Sequence, residues 1–525
     1  MNGAVGPTGL IATPDARATA VGQAVLDRGG SAVDAVIAAS AVLCVVYPQN
    51  VSIGGDTWTL IQPADGTPPR AVNGTGRAAA ALSAAVLRDA GLTEMPGSGP
   101  HSITVPGLVS AWGDLHASWG RLPFPELITP ARDLAANGFA VAPALARDLA
   151  RSADLLRTDP GCAATFFHDD GSAYRVGERL QLPALSDSLT AIAADGPEAL
   201  YEGELGGRYI QGLRRAGSLL TVADLARHRT ERFDPISAHY RGLEVLTAPP
   251  NSQGFTLLKI LSLMAELGLD DPADPRQAGC VLAVVTLAAE ERNARLADPD
   301  AVAVEVGLAA ELITAQAQRL RSHRSAGARS GASPRPPLGG DTIGMVAVDA
   351  HGCWVSSVQS VAGSFGSRLL EPSTGILAHN RGSGFSLDPI HPAFLGPGRR
   401  PPHTLMPCLV RQDGDTVGSL AAMGGHSQPF ILAQVLSRVL AGDPPQDAVT
   451  APRWVVPRTD PSKRQVLVDE RLDPAVAKEL SSATTESIPF DDNRLGHCQA
   501  LWHGPAGTRV GTDPRADGLA DPVGS

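Results

Sequence analysis

Ser322–Gly340 reads SHRSAGARSGASPRPPLGG, Asp341 follows, and Thr342–Ser360 reads TIGMVAVDAHGCWVSSVQS. The first stretch is rich in Ser, Gly, Arg and Pro and has almost nothing to bury, the composition of a flexible segment. Thr342–Val348 then alternates as a strand. Asp349–Gly352 is turn chemistry, and Cys353–Ser360 alternates again, so a β-hairpin is expected. Read plainly, this is an interdomain linker running into a hairpin. A second reading carries chemistry: a precursor that cuts itself where linker meets strand would leave Thr342 as a new N-terminus. Spacing alone does not choose between the two.

Outward from the hairpin, the N-terminal part predicts a short strand at Leu10–Ala12, a helix over about Ala16–Arg28 closed by Gly29-Gly30, and a helix over Ala32–Val46. Ser31 is placed to cap this second helix, with Asp34 near its positive end. Gly54-Gly55 leads into a strand at Thr57–Gln62. Ala184–Asp195 has helical periodicity and Leu243–Ala248 reads as a strand. Ser419–Met423 reads as an apolar strand, and a helix starts near Pro429.

The 525 residues are 43% hydrophobic and 18% charged, with a net charge of −11 and a pI of about 5.6. This is the balance of an ordinary globular protein. No basic stripe stands out, which argues against a nucleic-acid partner. The longest apolar run, Ala35–Val46, suits a buried helix rather than a membrane span. The first twenty residues lack the basic and apolar regions of a signal peptide, so a cytoplasmic location is expected. The six cysteines are scattered without CxxC or metal-ligand spacing, so reduced, structural thiols and no metal site are expected.

Several longer stretches resemble the γ-glutamyltransferase family in order along the chain. GLIATPDARATAVGQAVLDRGGSAVDAVIAASAVLCVVYPQN and VSIGGDTWTL resemble its opening strand, helices and glycine-rich loop. VPGLVSAWGDLHASWGRLPFPELITPARDLAANGFAV resembles part of its large subunit. GDTIGMVAVDAHG, FGSRLLEPSTGILAHNRGSGFSLDP, RRPPHTLMPCLV and MGGHSQPFILAQVLSRVL follow its small subunit. The resemblance implies an N-terminal-nucleophile hydrolase: an α/β, four-layer αββα sandwich formed from one self-cleaved precursor. Cleavage of Asp341–Thr342 would yield a large subunit, residues 1–341, ending in the flexible linker at 322–341, and a small subunit, residues 342–525. The two fragments would stay together as each other's partner.

The resemblance also implies roles. Thr342 would be the nucleophile, its own α-amine taking the hydroxyl proton; an α-amine pKa of about 7.7–8 leaves a neutral fraction near pH 7. Ser360 stands where the family has a threonine hydrogen-bonded to the nucleophile. Gly424 and Gly425 match the oxyanion hole, where losing one donor costs on the order of 3 kcal/mol. His426, Ser427 and Gln428 line the same turn. No cofactor is implied, because a threonine with its own amine completes the set.

Departures from the family pattern are informative. The arginine that holds a γ-glutamyl carboxylate aligns with Thr75, with Arg77 two residues on. The ammonium ligands align with Ala362, Arg381 and Gly384, and a serine pair with His403 and Thr404. An arginine where an ammonium should bind repels it, whereas arginine suits bidentate capture of a carboxylate. The pattern resembles a bacterial γ-glutamyltransferase-like branch that includes oxamate amidohydrolase and actinobacterial oxalyl C–C hydrolases, with cephalosporin acylases more distant. The expected function is hydrolysis of an amide or acyl bond in a small anionic, carboxylate-bearing substrate. C–C cleavage by the same machinery, true γ-glutamyl transfer and a silent ligand-binding scaffold are the alternatives, and association into a homo-oligomer is left open.

Overall fold

A computed structural model of the chain describes residues 8–322, 341–457 and 465–518. Most of the expected linker, residues 323–340, lies outside the described residues. At its edges, Ser322 closes a helix that begins at Ala310, and Asp341 opens a strand.

Twelve strands build two large sheets. In chain order they are β1 (Gly9–Ala12), β2 (Asp56–Gln62), β3 (Arg70–Gly74), β4 (Glu231–Phe233), β5 (Ile236–Tyr240), β6 (Leu243–Thr247), β7 (Asp341–Asp349), β8 (Trp354–Ala362), β9 (Cys408–Gln412), β10 (Asp415–Met423), β11 (His497–Gly504) and β12 (Gly507–Thr512). One sheet has the order β1-β7-β8-β2-β3-β4 and the other β12-β11-β10-β9-β6-β5. Neighbours in both are antiparallel. Both sheets therefore mix strands from before and after Thr342, and β7 and β8 lie inside the first sheet rather than at its edge.

The period of two along a strand sorts side chains into layers. In β7, Ile343, Met345 and Ala347 belong to a core shared with helices α1 (Ala16–Asp27) and α2 (Ala32–Val46). Val346 and Val348 join Leu10, Trp58, Leu409, Ala421 and Leu501 in a second core between the two sheets. Leu420 and Ala422 point the other way, to a third core under α3 (Gly254–Leu267), α4 (Pro275–Arg295) and α5 (Gln428–Ala441). Helices, sheet, sheet, helices is the expected αββα sandwich. The sheets approach closely where residue 344 has no side chain: a Cβ there would meet the Ala421 carbonyl carbon at 2.6 Å.

Local signals read from the sequence hold. Ser31 and Asp34 form a capping box on α2, and a carboxylate oxygen of Asp34 also accepts the N–H groups of Arg121 and Leu122. All fifteen residues of α2 are buried. All six cysteines are free thiols, five of them buried. Among the described residues no helix is long and apolar enough to cross a membrane.

Candidate active site

Thr342 lies one residue inside β7 on the face between the sheets, 1% exposed. Its Oγ1 donates to Ser360 Oγ at 3.2 Å. Ser360 Oγ also accepts the Ala362 N–H at 2.7 Å and donates to the Asp341 carbonyl oxygen at 2.6 Å. Asn50 Nδ2 donates to the Thr342 carbonyl at 3.0 Å. The hydroxyl and the carbonyls on both sides of it are thus held by side chains from two other segments.

Strand parity explains the meeting. Ser360 shares its face of β8 with Val358 and Ser356, and Ser356 Oγ donates across the layer to the Leu420 carbonyl. β8 loses register between Gln359 and Ala362, where pairing resumes opposite Asp341. Ala362 has φ 80°, a conformation uncommon outside glycine. Such bulges re-aim side chains near sites; this one lets a single hydroxyl reach Thr342, Ala362 and Asp341.

β10 ends at Met423, and Gly424 (φ 149°) and Gly425 (φ 53°) turn the chain into a short 3₁₀ turn and then α5. Val346 pairs with Ser356, which bonds Leu420, and Gly344 abuts Ala421. The helix begins at Gln428, so Gln428 belongs to its first turn. Gln428 is fully buried, and neither of its amide atoms has a hydrogen-bond partner among the described residues.

Beside Ser360 lies a cluster that sequence reasoning missed. Asp56 pairs with Ser360 across β2 and β8. One oxygen of Asp56, Oδ2, lies 3.0 Å from His379 Nδ1, 3.1 Å from His403 Nε2 and 3.8 Å from Arg381 Nε. All four side chains are at most 1% exposed. Burial alone would raise the Asp56 pKa, but His379 and His403 outweigh it and hold the carboxyl well below its usual range. Burial, then the Arg381 charge, pushes His403 down to about 3. Burial lowers Arg381 to about 10 against the pull of Asp56. Arg381 Nη1 donates to Thr404 Oγ1 at 3.1 Å, while Nε and Nη2 have no hydrogen-bond partner among the described residues. Gln253 Nε2 bridges the Thr404 and Gly425 carbonyls at 2.8 Å each, tying this cluster to the glycine turn. A small cavity beside it is bordered by His403, Thr404, His426 and Arg292.

The signals for the missed residues were faint. Asp56 is a charge opening a buried strand directly after a glycine pair, a place where Asp is depleted. His379 and Asn50 carried no local signal. Of two further residues singled out from the sequence, Arg77 turns away from the cluster, whereas Thr75 lies beside it, the next residue, Gly76, donating its N–H to Asp56 Oδ1 at 3.3 Å. Arg77 is two-thirds buried among Glu231, Asp298 and Asp300, at 3.3, 3.6 and 2.6 Å, so its charge is already matched. Thr75 is buried, donates its hydroxyl to Asn73 at 2.6 Å and accepts Asn251 at 3.3 Å.

Residues 18–523 match the model of the gamma-glutamyltranspeptidase family. The chain is 34% identical to a glutathione hydrolase-like proenzyme, YwrD, of Bacillus subtilis, over 98% of both chains. It is also 34% identical to the oxamate amidohydrolase proenzyme of Klebsiella pneumoniae, again over 98% of both. A cephalosporin acylase from Bacillus halodurans superposes with a TM-score of 0.87 at 31% identity, covering 99% of this chain and 96% of the acylase. With the αββα layers and the Thr342–Ser360 pair in place, this chain belongs to the gamma-glutamyltranspeptidase family and is an enzyme of that family.

Proposed function

We propose that the chain cuts itself between Asp341 and Thr342 and that the freed Thr342 then hydrolyses an amide bond of a small carboxylate-bearing substrate. The observation that carries the reading is Ser360 Oγ, which touches both Thr342 Oγ1 and the Asp341 carbonyl oxygen, at 3.2 and 2.6 Å. In the first step Oγ1 adds to the Asp341 carbonyl carbon, and the Ser360 O–H steadies the negative charge that develops on its oxygen. The C–N bond breaks as the nitrogen takes up a proton, leaving an ester. Water hydrolyses the ester to the Asp341 carboxylate, a free hydroxyl and the Thr342 α-amine. The large and small fragments, 1–341 and 342–525, stay associated because each large sheet contains strands of both.

In turnover the α-amine accepts the Oγ1 proton as Oγ1 attacks the substrate carbonyl. The N–H groups of Gly424 and Gly425 receive the oxyanion, the amine product leaves with a proton, and water releases the acid. Arg381 is the candidate anchor for the substrate carboxylate: it is buried and has N–H groups without a hydrogen-bond partner among the described residues, and an arginine fork fits a carboxylate. Arg381 is bonded to Thr404, which borders a small cavity together with His403 and His426. The names of the relatives point to three different amides, so the shared chemistry, amide hydrolysis by a matured precursor, is the part carried over.

The test is N-terminal sequencing of the small fragment, expected to start Thr-Ile-Gly-Met, followed by turnover of oxamate, glutaryl p-nitroanilide and γ-glutamyl p-nitroanilide. Hydrolysis of a carboxylated substrate with negligible γ-glutamyl turnover is expected. γ-Glutamyl turnover with a micromolar KM would overturn the substrate assignment, and an uncut chain the whole reading.

A further inference from the structure

The Asp56 cluster says more about the substrate than its charge. A carboxylate oxygen only accepts hydrogen bonds, so the His403 Nε2 at 3.1 Å from Asp56 Oδ2 must carry the ring hydrogen. The neutral ring therefore presents a bare lone pair at Nδ1. That atom is buried and has no hydrogen-bond partner among the described residues, and His403 borders the cavity beside Thr404. Arg381 Nε lies 3.8 Å from the same Asp56 oxygen, and Nε and Nη2 have no hydrogen-bond partner among the described residues. A buried acceptor left empty is as unfavourable as a buried donor left empty, so the two call for a ligand that satisfies both.

We propose that Asp56 sets His403 as a hydrogen-bond acceptor beside the Arg381 guanidinium, so that the pocket selects a carboxylate with a neutral O–H or N–H donor on the adjacent carbon. The adjacency follows from geometry, since His403 and Arg381 lie 3.1 and 3.8 Å from one oxygen atom. The neutrality follows from charge. Asp56 already faces the Arg381 guanidinium, with Nε at 3.8 Å, and His379 Nδ1 and His403 Nε2 stand 3.0 and 3.1 Å from the same oxygen. No negative charge of the cluster is left over for a substrate ammonium. Asp56 acts here as a positioning residue through His403; His403 would touch the substrate.

This assignment rests on the acyl-hydrolase reading above, and the experiment separates the two. Three p-nitroanilides share one skeleton and differ only on the carbon next to the free carboxylate: glutaryl (hydrogen), 4-hydroxyglutaryl (hydroxyl) and γ-glutamyl (ammonium). With the matured protein, kcat/KM for the hydroxyl compound should exceed that for the hydrogen compound by about fivefold to tenfold, the size of one added hydrogen bond. The ammonium compound should be the poorest. In His403→Leu the hydroxyl-to-hydrogen ratio should fall to about one. In His403→Asn, whose Oδ1 lies near the place of Nδ1, most of the ratio should return. Asp56→Asn should lower the ratio as well, which loss of packing alone would not do. A ratio near one in the unaltered protein overturns the proposal whether or not the variants mature, as does a ratio that survives His403→Leu. Oxamate, whose amide N–H lies on the carbon next to its carboxylate, tests only the acyl-hydrolase reading. Turnover of neither oxamate nor any of the three anilides overturns both.

Discussion

The layer between the two sheets has two contrasting ends. In its middle and far end Leu10, Trp58, Val346, Val348, Leu409 and Leu501 form a dry core. At the near end the same strands present Thr342, Ser360 and Asp56, joined by His379, Arg381 and His403. Strand geometry is the same at both ends; only the residue types change. The apolar end gains stability from every contact, about 1.5–3 kcal/mol for a fully buried Leu or Val. The polar end buries ionised groups and leaves nitrogen atoms of Arg381 and His403 without hydrogen-bond partners among the described residues. Buried polar atoms without partners destabilise a fold. Their concentration beside a candidate nucleophile marks where stability has been given up for binding and chemistry.

Substitutions can break or sharpen this contrast. The largest effect is expected for Thr342→Ala at the polar end. The chain should stay in one piece on a denaturing gel, and hydrolysis should fall by a thousandfold or more, on the order seen when a catalytic nucleophile is removed. A chain still cut at residue 342 would take the nucleophile role away from Thr342. Next is Ser360→Ala, which removes the donor to the Asp341 carbonyl. Self-cleavage, followed as band intensity over time, should slow by about a hundredfold, and Ser360→Thr should restore most of it. Arg381→Gln should lower kcat/KM for a carboxylated substrate by about tenfold to a hundredfold, from a charge-assisted bond of about 1.5–3 kcal/mol. Maturation should be spared; unchanged kinetics would make Arg381 a purely structural partner of Asp56.

The apolar end should respond in stability instead. Gly344→Ala would push a methyl onto the Ala421 backbone, 2.6 Å away. It should cost about 1–3 kcal/mol, read as a lower Tm by calorimetry. The smallest effect expected is a slope with pH. Burial, as the leading cause in each, pushes His228 and His403 down to about 3 and His497 down to about 4. Above about pH 6.5 these rings are neutral in both folded and unfolded chains, and their contribution is complete. Below that, the unfolded chain takes up protons that the folded chain refuses until pH 3–4, so stability falls with pH. Each histidine should contribute about 1.4 kcal/mol per pH unit in that window. His497→Gln should flatten the denaturant-unfolding profile between about pH 4 and 6.5 by that amount; an unchanged slope would mean that His497 titrates normally in the fold.

The hairpin at Thr342–Ser360, the capped helix at Ala32–Val46 and the turn at Gly424-Gly425 were legible because their signals are local: alternation, a cap three residues from its partner, and glycines where φ is positive. The site was legible only in part. Arg77 was singled out for its place next to Thr75, yet it faces Glu231, Asp298 and Asp300. Asp56 passed unremarked, yet it stands at the centre of the buried cluster. Which charges meet depends on contacts between residues hundreds of positions apart, and no window along the chain contains both partners.

Along the chain, then, the residues themselves determined the layers: parity alone puts Thr342, Gly344, Val346 and Val348 on one face of β7, and Ser356, Val358 and Ser360 on one face of β8. They also determined that hydroxyls, rather than apolar groups, occupy the end of that face. Tertiary structure decided which cations are already matched and which keep open donors, as Arg77 and Arg381 show. The reason is physical. Backbone periodicity is set by each residue's own φ and ψ, whereas the state of a buried charge is set by whatever the fold brings within about 4 Å of it.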